Sequence, residues 1–75
     1  MHASRHHRRP SSRGGKTTPQ NISIVDEKKH QSWHNLFDNA EPDVIASIIN
    51  HTWLDPDWEF IAQKKSDRRI MMEGI

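Results

Sequence analysis

The stretch 5-RHHRRPSSRGGKTTPQN-21 decides how this chain is read. It sets two adjacent imidazoles, His6 and His7, among arginines, then runs through Pro, Ser, Gly and Thr to an asparagine. Residues 10–20 hold two prolines, two glycines and four hydroxyl side chains, the composition of a loop and not of a helix or strand. Short extended segments are expected on either side, the first carrying His6 and His7.

Downstream, 21-NISIVD-26 alternates Ile22 and Ile24 with smaller polar neighbours, which suits a half-buried strand. Asp26 then has the character of a helix N-cap, with Glu27 beside it at the positive end of the helix dipole. No proline or glycine interrupts residues 26–38, where Trp33, Leu36 and Phe37 supply an apolar face, so one helix is expected there. A second helix starts at Pro42 and buries Val44, Ile45, Ile48 and Ile49 as one stripe. In 54-LDPDWEFIAQKK-65 another Asp-Pro start precedes Trp58, Phe60 and Ile61, which fit a short helix or a strand, the helix being preferred. Trp33, Trp53 and Trp58 are expected in the core. The last residues, 66-SDRRIMMEGI-75, show no clear period and are expected to fray or to pack on a partner.

A chain of 75 residues makes a single small domain, which buries only about 60% of the surface exposed by its unfolded form. Something besides apolar packing must help to hold it. Cysteine is absent, so disulfides and thiolate zinc sites are excluded, and any metal falls to histidine or carboxylate. The net charge of +1 hides a polar arrangement: residues 1–19 carry Arg5, Arg8, Arg9, Arg13 and Lys16 and no acid. A solvated tail accounts for such a pole as readily as a phosphate-binding strip does. No apolar run approaches the ~20 residues that span a bilayer, and no secretory signal is visible, so a cytoplasmic location is the expectation.

The histidines narrow the choice. His30 and His34 are four apart and share one face of the expected helix, bordering its apolar stripe, so their imidazoles can converge on one ion. Taken alone, the pair is as readily an ordinary solvent-facing one. A hairpin that brings His6 or His7 beside the helix adds a third imidazole, and three nitrogen ligands with an open position are the pattern of a catalytic metal site.

These residues together resemble the HNH endonuclease core, the ββα-metal motif, over residues 5 to about 37. His7, Pro10, Ser12, Gly14 and Gly15 fill H-x-x-P-x-S-x-G-G, Asn21 opens the second strand, and His30 and His34 stand on the helix. The adjacent His-His pair is most similar to the colicin-type DNase variant. The resemblance implies an α+β fold: a small ββα-metal core of a two-stranded hairpin plus a helix over residues 5–38, with one or two additional C-terminal helices over 41–75.

It also implies roles. His6, His30 and His34 would hold one divalent cation, His7 would be the general base, and Asn21 would pin the loop through backbone hydrogen bonds. Arg5 and Arg8 are candidates to grip phosphates, with Arg13 and Lys16 adding sequence-independent attraction to a DNA backbone. Three imidazoles favour zinc, with nickel, manganese or magnesium open as the working metal. The expected function is metal-dependent hydrolysis of DNA. The alternatives are a catalytically inactive zinc-stabilised module that binds nucleic acid or protein, and a helical interaction domain with unliganded histidines. A protein partner or homodimer through the C-terminal region is also open.

Overall fold

The computed structural model describes residues 2–65, and the expectation for 66–75 lies outside them. The chain divides into two compact units, Met1–Asn39 and Ala40–Ile75. The fold is a small α+β arrangement, a two-stranded antiparallel hairpin followed by helices.

In the first unit β1 (Ala3–His7) pairs with β2 (Ile22–Asp26), in a register running from Ala3 opposite Asp26 to His7 opposite Ile22. The pairing is extended at both ends, by Glu27 N–H donating to His2 O (2.8 Å) and Arg8 N–H donating to Asn21 O (2.7 Å). Because side chains alternate along a strand, Ser4 and His6 share one face of the hairpin with their partners Val25 and Ser23. Helix α1 (Glu27–Phe37) follows β2 without a linker: Asp26 is its N-cap, extended at ψ 134, and its carboxylate accepts from Lys29 N–H at 3.4 Å. The helix packs on both strands, directing His30, Trp33 and His34 toward His6.

The connection between the strands is a built loop. After Pro10 the chain makes one 3-10 turn, Ser11–Arg13, ending at Gly14 with φ 84, a left-handed conformation that glycine adopts freely. Gly15 answers a different need: its N–H donates to Pro10 O (2.9 Å), and a Cβ at this position would overlap the Arg9 carbonyl. The two glycines of the motif are therefore not interchangeable constraints.

The second unit holds α2 (Pro42–Ile48), with Pro42 in its first turn, where the missing N–H costs nothing. A π-helical turn, Ile49–Trp53, continues it and closes with Leu54 N–H donating to Ile49 O (2.9 Å). The expected helix from Asp55 does not form. Instead Asp55 and Pro56 make a turn, with Trp58 N–H on Asp55 O (2.9 Å) and Asp57 N–H on the Asp55 carboxylate (2.9 Å). The Asn50 side chain then takes both backbone groups of Phe60, accepting from its N–H and donating to its O at 2.8 Å each. That clamp removes the groups a helix would have used.

The apolar expectations also need correction. Phe37, 8% exposed, is the one apolar side chain buried among the described residues. Trp53 and Trp58 are 63% and 72% exposed, Val44 is exposed, and Ile45, Ile48 and Ile49 are only half-buried. Trp33 packs on Phe37 at 4.7 Å between ring centroids yet keeps 36% of its surface open. Periodicity finds a helix's apolar stripe, but an element of seven residues has too little surface around it to bury that stripe.

Candidate metal centre

Three histidines from two elements meet on the helix-facing side of the hairpin. His6 comes from β1, and His30 and His34 from successive turns of α1. Each offers one ring nitrogen, and the three atoms lie within 4.8 Å of one another. The His30 and His34 Nε2 atoms approach to 2.9 Å. The His30 ring also stands edge-on to His6 at 5.1 Å between centroids.

Hydrogen bonding orients the set. Ser4, on the same strand face as His6, places its Oγ 2.6 Å from His30 Nδ1, which fixes the ring and leaves Nε2 facing His34. His6 Nδ1 is buried and has no hydrogen-bond partner among the described residues. A buried orphaned nitrogen carries a desolvation cost that a bound cation removes. The same burial, reinforced by the positive charge of His30, His34, His7 and Arg8 when protonated, holds the His6 pKa below its ordinary 6.5. A neutral His6 is the metal-binding form. Three imidazoles, one orphaned and one oriented by a hydroxyl, fit a borderline ion such as zinc better than magnesium, which prefers oxygen.

A cleft of about 220 Å³ opens beside this set, with His30 and His34 on one wall and Arg5, His7, Ser11 and Ser12 among its other lining residues. Among the described residues no carboxylate lines it, so the field of those residues favours an anion. Adjacent residues on a strand point to opposite faces, and this divides the labour between the neighbouring histidines: His6 turns to the helix while His7 turns to the cleft. His7 Nε2 lies 3.2 Å from Thr17 Oγ1, across the loop.

Asn21 holds the ends of that loop together with three hydrogen bonds. Its Oδ1 accepts from Arg9 N–H at 2.7 Å, and its Nδ2 donates to Arg9 O at 3.0 Å and to Lys16 O at 2.8 Å. The residue following the His7–Arg8 pair is thereby tied to the start of β2. Arg9 adds a bond from its Nε to Arg13 O at 2.8 Å, so this arginine braces the loop.

Of the residues expected at the site, the structure brings together His6, His7, His30, His34 and Arg5. Arg8, Arg13 and Lys16 do not line the cleft. Arg8 belongs to a different groove and donates to Gln20 O at 3.2 Å, while the carbonyls of Arg13 and Lys16 serve the loop. Within the second unit, His51 Nδ1 donates to Ser47 O at 2.8 Å. Ser4 and Thr17, which contact the histidines, and Ser11 and Asn39, which line the cleft, were not expected at the site. Ser4 had a signal, because it lies two residues before His6 and shares its face; Thr17 is one of four hydroxyls in a loop and had none. Among the described residues no helix is long and apolar enough to cross a membrane. Comparison with family models, with curated proteins and with solved structures returned no match, so function is argued from the geometry of the site.

Proposed function

We propose that this protein is a small metal-dependent endonuclease of HNH type that hydrolyses DNA phosphodiester bonds. One observation carries the proposal: three imidazole nitrogens within 4.8 Å of one another adjoin a cleft that holds His7 and Arg5 and, among the described residues, no carboxylate. His6, His30 and His34 would hold a single divalent cation, and three nitrogen ligands leave room in its coordination for a phosphate oxygen. When bound, such an ion supplies a sink for the charge on the phosphate and on the departing 3′ oxygen.

The remaining work falls to the chain's own groups. We assign the His7 tautomer in which Nε2–H donates to Thr17 Oγ1, so that Nδ1 carries the lone pair. That nitrogen accepts a proton from the attacking water, a task suited to an imidazole near neutral pH. Arg5 projects into the cleft and offers a forked pair of donors to non-bridging phosphate oxygens. Asn21 keeps His7 aimed by tying the loop it leads into. The test is cleavage of supercoiled plasmid by zinc-, nickel-, manganese- or magnesium-loaded protein. His7→Ala is expected to lower the rate roughly 10²- to 10⁴-fold while the protein still binds zinc; cleavage unchanged by this substitution overturns the assignment.

A second reading is favoured by the exposure of Trp53, Trp58, Phe60 and Ile61 at 63%, 72%, 56% and 77%. So much open apolar surface in a short chain suits a zinc-stabilised module that docks another protein and does no chemistry. Tight zinc binding with no cleavage under any of the four metals selects it.

A further inference from the structure

A second groove, of about 430 Å³, adjoins the histidine cluster, and among the described residues His30 alone is shared with the His7 cleft. The cluster therefore stands between two concavities. The one with His7 is the place for chemistry, and the other has no part in the mechanism described above.

Its walls differ in kind from those of the cleft. Trp33 and Val25 present apolar surface, Arg8 and Lys29 supply two cations, Ser23 adds a hydroxyl, and no carboxylate is present among the described residues. Trp33 is braced by Phe37 at 4.7 Å and by the edge of His6 at 5.8 Å, yet 36% of it stays open. A rigid, partly exposed indole flanked by cations suits a ligand that is both flat and anionic. A free phosphate leaves the indole unused, and a purely apolar ligand leaves Arg8 and Lys29 unused. A nucleotide uses both, and contiguity with the metal ligands makes it a nucleotide of the same strand as the one being cut.

We propose that this groove takes the nucleotide neighbouring the scissile phosphate, with its base unpaired and stacked on Trp33 and its phosphate between Arg8 and Lys29. This rests on the nuclease reading and adds a substrate class to it. A base inside a duplex has both faces covered by its neighbours, so stacking on protein requires an unpaired base. Single-stranded DNA, or duplex frayed or flapped beside the cut, is then preferred over intact duplex.

Fluorescence anisotropy tests this with zinc-loaded protein carrying His7→Ala to prevent cleavage, and with labelled oligothymidylate or a blunt hairpin duplex closed by a non-nucleotide linker as the probe. Oligothymidylate is expected to bind about tenfold more tightly than the hairpin. Trp33→Leu is expected to weaken oligothymidylate binding roughly 5- to 100-fold and to leave hairpin binding alone, with Trp33→Phe retaining most of the affinity. Because Trp33 also packs on Phe37, Lys29→Ala supplies a second, exposed test: it should reduce oligothymidylate affinity and lower its salt dependence by about one ion. Equal or tighter binding of the hairpin overturns the proposal. So does wild-type affinity for oligothymidylate in Lys29→Ala or in a folded Trp33→Leu protein.

The two readings fail separately. His7-dependent plasmid cleavage without a Trp33 or Lys29 effect removes this inference and keeps the nuclease. Trp33-dependent strand binding without cleavage under any metal removes the nuclease and keeps the groove as a single-strand binding site.

Discussion

Ser4 shows how one hydroxyl can set a site. By holding His30 Nδ1 at 2.6 Å, it selects which nitrogen of that ring faces His34 and His6. Such outer partners of metal-binding histidines are typically worth about 10- to 100-fold in affinity. Ser4→Ala is therefore expected to weaken zinc by that factor, measured by competition with a chromophoric chelator, and an unchanged affinity means that His30 is oriented by something else. His6 carries a consequence for pH. Its folded pKa lies below 6.5, from burial first and then from the charges of His30, His34, His7 and Arg8, whereas in the unfolded chain it takes up a proton near 6.5. The stability of the metal-free protein linked to His6 is thus complete above 6.5 and is lost as pH falls from there through the folded value. Urea unfolding of metal-free protein from pH 8 to 5 is expected to show this decline, and to show less of it in His6→Ala. Residue identity and spacing made the histidines legible in the sequence, since ligand chemistry is tied to residue type. Ser4 was concealed because a serine in a strand has many uses, and only its contact with His30 picks out this one.

At the scale of elements, the loop between the strands is the most constrained piece of the chain. Asn21 makes three hydrogen bonds across it, and each is worth about 0.5–1.5 kcal/mol net. Asn21→Ala is expected to cost roughly 2–4 kcal/mol in urea unfolding and to abolish His7-dependent cleavage, while Asn21→Asp keeps the acceptor for Arg9 N–H and loses both donors. A cost near zero for Asn21→Ala means that the loop is held without it. The other end of α1 offers a contrast. Asp38 sits at φ 51 and ψ −126 with its N–H on His34 O at 2.9 Å, in a region where a Cβ is strained. Asp38→Gly relieves that strain and is expected to raise stability by about 1 kcal/mol, checked by the same unfolding measurement. The hairpin, α1 and its Asp26 cap were legible because alternation, capping and the absence of breakers agree over residues 21–38. The segment after Asp55 was not: Asp-Pro starts helices and turns alike, and a contact ten residues away, from Asn50 to Phe60, decides between them.

For the whole molecule, the sparse core is the governing fact. With Phe37 the one buried apolar side chain among the described residues, packing alone gives the first unit little to stand on. An ion held by His6 on the hairpin and by His30 and His34 on the helix would tie these elements together where packing is thin. Free zinc at about 100 times its dissociation constant adds about 2.7 kcal/mol, which in a domain of this size corresponds to a melting shift of roughly 10–20 °C. The exposure of Trp53, Trp58, Phe60 and Ile61 was beyond the sequence, because apolarity marks a residue as wanting burial but does not say that the same chain provides it. On the proposed function, His6, His30 and His34 share one cation with a position left open. X-ray absorption on zinc-loaded protein, with metal analysis, tests this: one zinc per chain with three imidazole nitrogens and one exchangeable oxygen ligand is the expected result, with tight binding lost in His6→Ala. Zinc held as tightly without His6, or not held by the wild-type protein, contradicts it.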